Sequence, residues 1–123
     1  MIEKDLAWSA GIYEGEGCPC VGTSNGRKTF RIEIDNTDYS LLQEMERIWK
    51  GKTRKLTKNY KDGYNRKEVW RWILAKQHGT KNFCRLVYPY MRTEVKIKQL
   101  EEAWISRGWD VTYLKSPINK LID

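Results

Sequence analysis

The chain has 123 residues, enough for one domain with one core, and its six Trp and seven Tyr supply large bodies to fill that core. It carries 23 Lys and Arg against 16 Asp and Glu, a formal charge of +7 that points to an anionic partner. No run approaches the roughly 20 apolar residues of a membrane span. Glu3 and Asp5 stand where a secretory signal needs a basic and then an apolar run, so the expectation is a soluble, intracellular protein with no membrane partner. Cys18, Cys20 and Cys84 cannot all pair within one chain, and a Cys-x-Cys spacing with a lone His78 does not make a zinc site. Reduced thiols are expected.

In chain order, residues 4–14 read as a helix in which Leu6, Ala7, Ala10, Gly11 and Glu14 share a face. Ala7, Gly11 and Gly15 recur every four residues and form a ridge that admits another backbone at close range. Gly11 costs roughly 1 kcal/mol against Ala in mid-helix, so a packing reason is expected for it. After Gly17 the period changes to two. "SNGR" (24–27) signals a hairpin, and "TFRIEID" alternates, with Phe30, Ile32 and Ile34 on one face and Thr29, Arg31, Glu33 and Asp35 on the other.

Asn36, Thr37 or Asp38 can cap the next helix, which carries a stripe of Leu41, Leu42, Met45, Ile48 and Trp49 and ends at Gly51. A second hairpin follows: a basic strand over residues 52–60, an Asp-Gly turn within 61–67, and "EVWRWIL" (68–74) with Trp70, Trp72 and Leu74 on one face. Gly79 and Thr80 open a helix that is interrupted near Pro89. Residues 93–107 form another, closed by Gly108, and the tail adds a short helix after Pro117.

Helix, two strands, helix, two strands and helices describe an α+β domain over residues 1–123, with the helices on one face of an antiparallel sheet. The free face would present Cys20, Gly22 and Ser24 from the first strand and Arg27, Thr29, Arg31 and Glu33 from the second. Lys55, Thr57, Asn59 and Arg71 would come from the other hairpin. Such a polar, mostly basic sheet face suits a nucleic-acid groove.

Glu14 and Glu16 lie between Gly11, Gly15 and Gly17. A dinucleotide loop does not fit, because "GEGCPC" follows a helix and carries acids that repel phosphate. A glycosidase pair does not fit, because its carboxylates face each other across a cleft. A hard divalent metal fits: a carboxylate beside the free carbonyls of a helix C-terminus offers oxygen ligands. A metal facing DNA points to phosphodiester hydrolysis.

"SAGIYEGEG" (9–17) resembles the signature of the LAGLIDADG homing endonucleases, notably members reading "LAGFIDGEG". Ser9 replaces the first Leu, Ala10, Gly11 and Gly17 match, and Glu14 and Glu16 stand for the two acids. "NTDYSLL" (36–42) and "LVYPYM" (86–91) are similar to later family segments. The resemblance implies an αββαββα fold whose sheet forms a saddle on double-stranded DNA. It also implies Mg²⁺ or another divalent ion held by Glu16 with the Gly15 carbonyl, and Asn36 near the attacking water. A lysine would assist at the transition state; relatives place it where this chain has Glu94, which leaves Lys96, with Lys98 next. A single motif implies a homodimer with Ala7, Ala10, Gly11 and Glu14 at the interface, cutting both strands of a near-palindromic target to leave 3′ overhangs. Such proteins are often intron-encoded. Family relatives that bind RNA as maturases, or DNA as regulators, are the alternative outcome.

Overall fold

The computed structural model describes residues 2–56 and 68–117. The elements run α1 (Glu3–Glu16), β1 (Gly17–Ser24), β2 (Arg27–Asn36), α2 (Tyr39–Trp49), β3 (Lys52–Leu56), β4 (Val69–Leu74), α3 (Gln77–Val87), a 3₁₀ turn (Tyr88–Tyr90), α4 (Glu94–Ser106) and α5 (Val111–Lys115). The strands form one antiparallel sheet in the order β1-β2-β4-β3. Asn25 (φ 52°) and Gly26 (φ 77°) both take positive φ, as the twist-matched two-residue turn between β1 and β2 requires. Asp38 caps α2 by accepting the Ser40 N–H at 3.0 Å.

One sheet face packs on the helices. Phe30, Ile32, Ile34, Trp72 and Leu74 meet Leu42, Met45, Trp49, Phe83, Val87, Leu100 and Trp104 in a single buried cluster. The helix-period stripe of α2 and the period-two pattern of β2 are therefore satisfied against each other. Ser9, at the position where the family signature has Leu, has a specific use here: its buried Oγ accepts the Trp49 indole N–H at 2.9 Å. Ser9→Ala should strand that N–H in the core and lower stability by about 1–3 kcal/mol, read by denaturant unfolding.

Several expectations change. α1 turns two faces outward and inward differently from the sequence reading. Ser9, Ala10 and Tyr13 are buried within the chain, whereas Ala7, Gly11 and Gly15 are exposed. Successive helical residues are about 100° apart, so Ala10 and Gly11 cannot centre the same surface. Ala10 belongs to the core of its own chain, and the outward ridge is Ala7, Gly11 and Gly15. α3 begins at Gln77, two residues before Gly79, and a short helix, α5, precedes Pro117; the tail helix expected after Pro117 lies outside the described residues. The 61–67 turn and residues 57–60 and 118–123 lie outside the described residues.

The β3 face assignment also changes. Arg54 pairs with Arg71 and Lys55 with Trp70. Paired residues share a face, so Arg54 joins the polar face and Lys55 sits on the Trp70 side, in an ion pair with Glu68. "KTRKL" has no apolar alternation to fix its parity, and a one-residue slip exchanges the faces. Thr57 and Asn59 lie outside the described residues.

Candidate nucleic-acid interface and metal site

The polar face is built by register. Cys18 pairs with Glu33, Cys20 with Arg31, Gly22 with Thr29 and Ser24 with Arg27 across β1 and β2. Asp35 pairs with Arg71 across β2 and β4, and Arg71 with Arg54 across β4 and β3. Cys20, Gly22, Ser24, Arg27, Thr29, Arg31, Glu33 and Arg71 are thus brought onto one surface, opposite the buried Phe30, Ile32 and Ile34. Arg54, Lys52 and Asp35 complete it; pairing through β4 is the signal that places the first two.

The charge on this face is not uniform. Arg31 pairs with Glu33, and Arg71 with Asp35, so the middle of the sheet carries fixed ion pairs. Arg27, Lys52 and Arg54 have no acidic partner among the described residues and remain available to anions. Cys18 and Cys20 lie 3.7 Å apart, sulfur to sulfur. Burial, then the hydrogen bond and proximity of Cys18, push the Cys20 thiol up to about 12, so it stands on this face as a neutral thiol.

At one end of the sheet the chain turns directly from α1 into β1. The turn needs Gly17: a Cβ there would meet Tyr13 Cδ1 at 2.5 Å and the Tyr13 carbonyl oxygen at 2.8 Å. The Gly17 N–H closes the helix on the Tyr13 oxygen. Past that point no further helical N–H follows, so the carbonyls of the last turn, Gly15 among them, lack helical partners. Glu16 projects from this end, exposed, with no ion pair or hydrogen bond among the described residues. Lys96 reaches across from α4 and donates to the Gly17 oxygen at 2.6 Å. Lys98, the other candidate, is exposed on α4 and makes no such bond among the described residues. Asn36 ends β2 two positions past Ile34, the partner of Gly17, and so stands at the same end of the sheet. Its Oδ1 accepts the Asp38 N–H at 2.8 Å, which leaves its amide nitrogen free to donate elsewhere.

The donor set at Glu16 is one carboxylate plus helix-end carbonyls, all hard oxygens, which suits Mg²⁺ or Ca²⁺ and not a thiophilic metal. Among the described residues there is no cluster of three or more His, Cys, Asp or Glu that would close such a site. The residues fit an open metal position, completed by water and by oxygens from outside the chain.

Glu14 behaves differently. Its carboxylate accepts the Arg92 N–H at 3.0 Å and the Thr93 N–H at 2.7 Å, and also takes the Thr93 hydroxyl. Both oxygens are thereby used inside the chain, at the positive end of α4. Partial burial pushes the Glu14 pKa up, but the Thr93 hydroxyl and the Thr93 and Arg92 amides outweigh it and hold the group below its ordinary value. A carboxylate with a depressed folded pKa stabilises at neutral pH, and the benefit is lost as pH falls through that range. Glu14→Gln should therefore cost about 1 kcal/mol at pH 7. The difference from wild type should shrink below about pH 4, as measured by thermal melts across pH.

The fold is that of the LAGLIDADG homing endonucleases: an α-helix carrying the motif feeds an antiparallel four-stranded sheet with helices on one face. Among solved structures, the chain is similar to the LAGLIDADG meganuclease I-AabMI bound to uncleaved DNA, with 15% identity over 95% of this chain and 40% of that one, at a TM-score of 0.64. It is similar to the homing endonuclease I-TnaI, with 15% identity over 95% of this chain and 92% of that one, at 0.60. It is also similar to I-CvuI in complex with the I-CreI target in the presence of Mg, with 14% identity over 96% and 86%, at 0.58. No family model and no curated protein matches the sequence. Among the described residues no helix is long and apolar enough to cross a membrane.

Proposed function

We propose that this chain is a metal-dependent, site-specific DNA endonuclease of the homing type that works as a homodimer on a near-palindromic duplex. The observation that carries the reading is Glu16, an exposed carboxylate with no partner among the described residues, at the end of the motif helix, whose next residue, Gly17, binds Lys96 through its carbonyl oxygen. An acid with no partner among the described residues, on a chain of net charge +7, weakens the binding of a polyanion unless a cation bridges the two.

Glu16, with the Gly15 carbonyl, would hold the divalent ion, which supplies Lewis-acid activation of water and of the scissile phosphate when bound. Lys96, anchored on the Gly17 oxygen, keeps an ammonium at the end of the motif helix, where it would offset negative charge developing on the phosphate. Asn36, at this end of the sheet with its amide nitrogen not used in the Asp38 bond, would orient the attacking water. Arg27, Lys52 and Arg54 hold the flanking phosphates, so affinity should fall steeply with salt. The strands lie in the major groove on either side of the cut.

The dimer reading rests on α1. Ala7, Gly11 and Gly15 form an exposed stripe with Trp8, 37% exposed, alongside. A Cβ at Gly11 or Gly15 would meet nothing within 4 Å, so packing inside the chain does not account for either glycine. A second copy of the helix about a twofold axis does, and it brings two Glu16 sites together, one for each strand, leaving 3′ overhangs.

The test is incubation with a plasmid library in Mg²⁺ and in EDTA. The reading expects linear products only with the divalent ion; salt-sensitive binding without cutting in any divalent ion would support a binding-only protein instead.

A further inference from the structure

We infer that Arg71 is a guanine-reading residue and that Asp35 is its positioning residue, so that each half of the target carries a guanine on which recognition depends. The inference rests on the DNA-binding reading above. Arg71 crosses from β4 to its register partner on β2, donating from Nε to Asp35 Oδ1 at 2.7 Å and from Nη2 to Asp35 Oδ2 at 3.0 Å. Glu33 Oε1 stands 3.5 Å from the same Nε.

This is a side-on fork. It uses the Nε proton and one Nη2 proton, and it leaves both Nη1 protons and the second Nη2 proton unused by Asp35. One Nη1 proton and the second Nη2 proton form the end edge of the guanidinium, which is the edge that matches O6 and N7 of guanine in the major groove. The Asp35 clamp fixes the plane of the fork, and the Arg71 side chain as a whole remains 28% exposed on the polar face.

The surroundings also argue for a base and against a phosphate. Glu33 and Asp35 set two carboxylates around the Arg71 head, and Glu33 is also tied to Arg31. The charges of these four residues cancel, so they attract a phosphate less than Arg27, or than Arg54 opposite Arg71 on β3, does. A neutral acceptor edge is what remains for the arginine to bind. A plain cross-strand ion pair would also show the 2.7 and 3.0 Å contacts, but it would carry no base preference.

The experiment is selection from a randomised DNA duplex library in Ca²⁺ with the wild-type chain, followed by binding of the selected sites by Arg71→Ala, Arg71→Lys and Asp35→Asn. Wild type should select a guanine at symmetric positions in the two half-sites. Arg71→Ala should lower preference for that guanine by about 10- to 100-fold and leave the other positions unchanged. Arg71→Lys, which keeps the charge but loses the planar fork, should keep overall affinity and lose most of the preference. Asp35→Asn should relax the same position and no other. If Arg71→Ala and Arg71→Lys retain the wild-type preference at every position, or weaken all sequences equally, the inference is overturned while the endonuclease reading stands. If wild type selects no DNA motif at all, both fall.

Discussion

Glu16→Gln should abolish cleavage, by at least about 10³-fold, while specific DNA binding stays within a few-fold of wild type. Glutamine keeps the size of the side chain and one acceptor oxygen but removes the charge a divalent ion needs. The variant should fold normally, because Glu16 is exposed and makes no ion pair or hydrogen bond among the described residues. Exposed substitutions away from such features stay within about 0.5 kcal/mol, so the melting temperature should hardly move. Loss of activity with unchanged melting and binding separates a metal-holding acid from a structural one. Glu14 supplies the contrast within the same helix. Its carboxylate is tied to Arg92 and Thr93, so Glu14→Gln should move stability first.

Gly11→Arg should convert a dimer to a monomer and remove double-strand cleavage, while the folded monomer gains helix stability. Within the chain a Cβ at this exposed position meets nothing within 4 Å. Replacing Gly by Arg in a helix interior is worth roughly 0.5–1 kcal/mol in favour of the helix. Across a twofold axis the same side chain forces two backbones apart and sets two like charges together. Sedimentation at concentrations where wild type is dimeric should show a monomer. Unfolding must be compared at low concentration, because association itself stabilises the wild type by mass action. A Gly11→Arg dimer with full cleavage would remove the α1 interface from the account.

The sequence carries the fold where a pattern is local and regular. Phe30, Ile32 and Ile34 alternate with polar residues, Asn25-Gly26 marks a turn, and Leu42, Met45 and Trp49 mark a helix stripe; each element stands where its pattern puts it. The pattern fails where the deciding contact is distant or absent. "KTRKL" has no apolar side, so only pairing with β4 decides that Arg54, and not Lys55, faces outward. Ala10 and Gly11 both read as small residues, and only the packing of α1 separates the buried one from the exposed one. Ser9 finds Trp49 40 positions away, and Glu14 finds Thr93 79 positions away; neither partner is marked by local spacing. The lysine beside the motif is a similar case. The sequence puts Lys96 first and Lys98 next without a contact to decide between them, and the bond from Lys96 to the Gly17 oxygen brings Lys96 to the motif end.

The central claim is cutting, not only binding. The most direct test is to digest a randomised duplex library with wild-type protein in Mg²⁺ and to sequence the ends produced. The account predicts breaks in both strands, displaced to leave 3′ overhangs and related by the twofold of a near-palindrome, with none in EDTA and none from Glu16→Gln. Tight, salt-sensitive binding that leaves every duplex intact in Mg²⁺, Mn²⁺ and Ca²⁺ alike would contradict it.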